Sequence, residues 1–114
     1  MQMPKPTDAD KETFRALVPD DPRVTVKPMF GNLGAFVNGN MFMGLFGSDI
    51  GVKLPPADVE QLRTQHGAEP FGPAERPMGG YVTLPPTMLG TAEGARWFAK
   101  ALDHVAAAPA RHKK

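Results

Sequence analysis

Two apolar runs, Leu33 to Val37 and Met41 to Phe46, are separated by Asn38-Gly39-Asn40, and no other feature constrains the fold of this chain as strongly. Asn-Gly suits a two-residue turn in which both central residues take positive φ, so the runs are expected to fold back on each other as a β-hairpin. Gly47-Ser48-Asp49 supplies a second turn, after which Ile50, Val52 and Leu54 alternate with Gly51 and Lys53. Upstream, Val24-Thr25-Val26 is β-branched, and Met29-Phe30 continues the run past Pro28. A sheet accepts that proline only at an edge or a bulge. The spacing therefore predicts an antiparallel meander of three or four strands.

Helical signals flank the meander. Thr7 followed by Asp10 forms a capping-box-like start, and Phe14, Leu17 and Val18 recur at i, i+3 and i+4. Pro19 and Pro22 end that helix, placed at residues 8–18, because proline lacks the N–H and clashes with the preceding turn. Pro55-Pro56 opens a second helix with Val59 and Leu62 on one face and Gly67 at its C-terminal end. Residues 68–80 are rich in proline and glycine and read as a loop, and Tyr81 to Leu84 as a strand. Thr91 caps a last helix in which Trp97, Phe98, Ala101, Leu102 and Val105 make an apolar stripe.

The order α-β-β-β(-β)-α-β-α predicts an α+β fold of two layers, an antiparallel sheet with helices on one face. A chain of 114 residues fills one core, so a single domain over 1–114 is expected. Residues 107–114 end on Arg111, His112, Lys113 and Lys114 and read as a flexible basic tail.

The chain has no cysteine, which excludes a disulfide framework, a thiol nucleophile and any thiolate metal site. His66, His104 and His112 fall at the end of one helix, inside another and in the tail, and none shares a helix face with a second ligand. No metal and no cofactor is expected. The single serine, Ser48, sits in a hairpin turn and not in the strand-to-helix elbow of a serine hydrolase. Gly31-Asn32-Leu33-Gly34 is not followed by the helix N-terminus that a phosphate-binding loop requires. These absences predict a protein that is not an enzyme. The formal charge of +1 provides no field for nucleic acid, so direct binding to it is not expected. The apolar run Met41 to Phe46 is too short to cross a bilayer, and Met1 to Thr7 has no apolar stretch of a signal peptide. A cytoplasmic location is expected.

Lys27-Pro28-Met29-Phe30-Gly31-Asn32-Leu33-Gly34, Phe36, Gly39 through Phe42 and Val52-Lys53-Leu54 form a set, continued by Gly67, Phe71, Met78, Tyr81 and Pro85. As a set they resemble the N-terminal domain of the TfoX/Sxy family over about residues 10–105. The resemblance implies an α-β-β-β-α-β-β-α fold with an antiparallel sheet. It also implies a link to natural competence, in which family members assist a cyclic-AMP-responsive transcription activator, and it implies no enzymatic activity. Asn32 stands where the family usually has a second glycine. The chain is expected to be a stand-alone N-terminal domain, without the helical C-terminal domain of full-length regulators.

The leading expectation is a non-enzymatic regulatory module that binds a protein partner, with transcription machinery as the partner that the resemblance implies. Lys27, Met29, Phe30, Lys53, Arg76 and Met78 are the residues expected to form its surface. The alternative is a domain that binds a small molecule or anion, or an enzyme of unfamiliar kind, through Lys27, Lys53, Arg76 and Tyr81. That alternative needs a concave pocket where these groups converge. Pairing of two copies at an open sheet edge or apolar face is left open by the sequence.

Overall fold

A computed structural model describes residues 5–29, 32–72 and 79–107. Helix α1 (Asp8–Leu17) begins at Thr7, whose hydroxyl accepts from Asp10 N at 3.1 Å while the Asp10 carboxylate accepts from Thr7 N at 2.9 Å. This reciprocal bonding satisfies N–H groups that the helix leaves free. The helix buries Phe14 completely against the sheet. The chain then forms β1 (Thr25–Met29), β2 (Asn32–Val37), β3 (Asn40–Phe46) and β4 (Asp49–Lys53), paired antiparallel in succession. Asn38 and Gly39 take φ of 54° and 78°, the positive values that a two-residue hairpin turn demands.

After α2 (Pro56–His66), which ends at Gly67, come β5 (Glu69–Pro70), β6 (Tyr81–Thr83), a short 3-10 turn and α3 (Ala92–Ala106). Thr91 caps α3 by accepting from Gly94 N at 3.0 Å. The sheet order is β1-β2-β3-β4-β6-β5, antiparallel throughout. The fold is thus the expected α+β arrangement. It departs from expectation at residues 68–80, read as a loop, where Glu69–Pro70 pairs with Thr83 and Val82 and becomes the second sheet edge. Two residues ending in proline carry no period-2 signal, so only their pairing identifies them as a strand.

Leu33, Ala35, Val37, Leu45, Ile50, Val52 and Val82 meet Phe14 and the Trp97–Val105 stripe of α3 in one core. The β2–β3 register slips between Ala35 and Phe36. Ala35 lies opposite Met43, but Phe36 lies opposite Met41, and Phe42 is the extra residue. This bulge turns both Phe42 and Met43 into the core and releases Met41 to the other face.

Asn32, where the resemblance expects glycine, is buried, and its Oδ1 accepts from Gly47 N at 2.8 Å. The bond ties the start of β2 to the turn between β3 and β4, which a glycine could not do. An Asn32→Ala variant is expected to lose about 1–3 kcal/mol, because the Gly47 donor stays buried without that acceptor. A fall in the urea midpoint at unchanged m would show this; an unaltered midpoint would mean that the turn holds without Asn32.

Candidate functional site

Alternation along the strands turns Gly34, Gly44 and Gly51 to the face away from the helices. Gly34 pairs with Gly44 and Gly44 with Gly51, so the three form one row across β2, β3 and β4. Lys27 on β1 continues the row at one end and Thr83 on β6 at the other. Three glycines in register leave a trough in the sheet surface, because no Cβ rises from it.

The Phe71 ring fills that trough. A Cβ at Gly51 would lie under 3.0 Å from the ring, and one at Gly44 would lie 3.2 Å from it. Phe71 is 2% exposed, meets Phe46 edge-on at 6.3 Å between centroids, and lies 6.2 Å from Tyr81. Over Gly34 the cover is Phe36 and the Met41 sulfur, at 2.9 and 3.0 Å from where a Cβ would stand. Glycine in a strand interior weakens the strand unless something approaches the backbone closely. Here aromatic rings make that approach.

Two lysines flank this aromatic face. Lys27 Nζ lies 5.3 Å from the Phe36 centroid and Lys53 Nζ 5.6 Å from that of Tyr81, both within cation–π range. Neither makes an ion pair among the described residues. They stand three strands and one row apart, roughly 15 Å by sheet spacing. The Tyr81 hydroxyl reaches across β4 and donates to the Met41 carbonyl, beside the bulge, at 2.6 Å.

Of the residues expected at the surface, Lys27 and Lys53 come to this one face, and Tyr81 from the alternative set joins them. Met29 ends β1 opposite Asn32. Its side chain, and Phe30, Arg76 and Met78, lie outside the described residues. Sequence reasoning missed Phe36 and Phe46 as parts of the face. The signal present was a glycine in each of three successive strands, which marks close approach once the register is known.

In the turn before β1, Asp21 and Arg23 form an ion pair at 2.9 Å. A side-chain hydrogen bond from Arg23 holds the Asp21 carboxyl down to about 2, and Asp21 raises the Arg23 guanidinium in return. Among the described residues no cluster of three or more His, Cys, Asp or Glu could hold a metal ion. No helix among them is long and apolar enough to cross a membrane.

The fold and this face define a small two-layer α+β domain with an aromatic sheet surface flanked by lysines. The chain belongs to the TfoX N-terminal domain family, whose model matches residues 13–105. The match runs from within α1 to the last turn of α3 and takes in all six strands. No curated protein matches the chain.

Proposed function

We propose that this chain is a non-enzymatic regulatory module of the competence or transcription type, and that it binds a protein partner through the sheet face carrying Lys27 and Lys53. The observation behind this reading is that both lysines sit over aromatic rings, without carboxylate partners among the described residues, beside half-buried Phe36 and Phe46. Aromatic area is enriched in protein-binding surfaces, whereas lysine is depleted from their cores, so Lys27 and Lys53 belong to the charged rim of such a surface and Phe36 and Phe46 to its centre. The alternative, a pocket built by Lys27, Lys53 and Tyr81, has less support. Phe71 occupies the trough between them, and the Tyr81 hydroxyl is engaged by the Met41 carbonyl.

The sheet edges favour a different partner over a second copy paired strand to strand. One edge carries Lys27 and Pro28, the other Glu69 and Pro70. Charge and proline on an edge strand oppose such pairing.

The test is capture from nuclease-treated lysate of the protein's own host, with the parent chain and a Lys27→Glu/Lys53→Glu variant as baits. Reversing two side chains on the solvent side of the sheet leaves the core untouched. Capture of a transcription activator or polymerase subunit by the parent, lost in the variant, is the expected result. Equal capture by both baits would remove this face from the interaction, and absence of any such protein would count against the regulatory reading.

A further inference from the structure

On the opposite side of the molecule, α2 and α3 run antiparallel and are tied together at two points. Lys100 Nζ lies 3.2 Å from Asp58 Oδ1, and His66 Nε2 lies 3.4 Å from Glu93 Oε2, a contact that is ionic when His66 is protonated. Between the ties runs a groove of about 280 Å³ lined by Gln61, Glu93, Arg96, Trp97 and Lys100. Trp97 lines it while only 7% exposed, with Lys100 Nζ 5.2 Å from the ring centroid.

The charges in the groove are unequal in what they lack. Lys100 has Asp58, and Glu93 is held across the groove by His66. Arg96 has no carboxylate partner among the described residues. Its guanidinium offers a planar fork of donors that matches a carboxylate in two parallel bonds. Two carboxylates, Asp58 and Glu93, stand close by, and their repulsion grows with the charge of the ligand, so a singly charged anion is opposed less than a multiply charged one. The exposed part of the indole and the Lys100 stem favour an apolar body on the ligand, and the volume limits that body to a compact one.

We propose that this groove is a binding site for a small organic monocarboxylate, with Arg96 taking the carboxylate and Trp97 the apolar part. The site does not depend on the sheet face, so its success or failure is separate from the protein-binding reading.

Trp97 is the only tryptophan of the chain, so the emission comes from this one residue, which lines the groove on one side and the core on the other. The full chain is titrated with cyclohexanecarboxylate, with the neutral cyclohexanecarboxamide and with inorganic phosphate. The Trp97 indole N–H resonance is followed in the same titrations. Cyclohexanecarboxylate is expected to give a saturable change with Kd of about 1 mM, the affinity that so few atoms permit. Arg96→Gln, at an exposed position, is expected to keep the parent's thermal transition and to bind at least ~10-fold more weakly. The carboxamide is expected to bind as weakly, and phosphate to leave both Trp97 signals unchanged. Unmoved Trp97 signals with the carboxylate, equal binding by Arg96→Gln or by the carboxamide, or a response to phosphate matching that to the carboxylate would each overturn the proposal.

Discussion

A Gly94→Ala variant is expected to lose about 3 kcal/mol of stability, the upper part of the usual overpacking range. Gly94 is buried in the first turn of α3, and an added Cβ would lie under 3.0 Å from the main-chain oxygen of Met88. That oxygen is not free to retreat. It accepts from the Thr91 hydroxyl at 2.6 Å and from Thr91 N at 3.2 Å. The same hydroxyl accepts from Gly94 N, so moving the carbonyl loosens the cap of α3. Trp97 and Phe98, one turn on, would shift with it. Alanine favours a helix over glycine by about 1 kcal/mol, but the clash is with backbone fixed by two bonds and outweighs that gain. Gly79→Ala is the control, since nothing lies within 4 Å of its added Cβ. It is expected to stay within about 0.5 kcal/mol of the parent. Urea denaturation of the three proteins decides the matter; a Gly94→Ala chain as stable as the parent would show that the approach of α3 to the 3-10 turn is not a constraint.

The second large effect lies at the trough. Phe71→Ala is expected to cost about 3–5 kcal/mol, because the ring is nearly fully buried on bare backbone and little around it can collapse into the space. Gly51→Ala in the parent is expected to cost about 2 kcal/mol, since its methyl must push the ring out. In the Phe71→Ala background the same Gly51→Ala change meets no ring, and should be neutral or slightly stabilising. The cycle therefore predicts a coupling of about 2 kcal/mol between the two residues, read from denaturation midpoints of four proteins. Simple additivity would mean that the ring and the glycine row do not hold each other.

Much of this architecture was legible because its causes are local. A cap such as Thr7 with Asp10, or Thr91 with Gly94, acts over three residues and is written in adjacent side chains. Asn38-Gly39 sets its own dihedrals, and the prolines at 19, 22 and 55 end or begin helices by their own geometry. Pro28 required an edge or a bulge, and β1 is an edge strand. The same locality explains why Lys27, Lys53 and Tyr81 could be named in advance from their strands. Their neighbours on the face could not be named.

What local signals could not reach was the register. Counting back from the turn with Val37 opposite Asn40 places Gly34 opposite Met43. The bulge moves Gly34 opposite Gly44 and so completes the glycine row. Whether that extra residue exists depends on how Phe42 and Met43 both fit beneath α3, a packing balance that no stretch of ten residues contains. The same holds for Phe71, whose place on the sheet follows from the pairing of Glu69–Pro70 with β6, and for the two side-chain contacts that join α2 to α3. Turns, caps and helix ends rest on bonds a few residues apart, and the chain alone specifies them. The aromatic face and the Arg96 groove rest on contacts between residues up to 42 apart in sequence, made only once the core has closed.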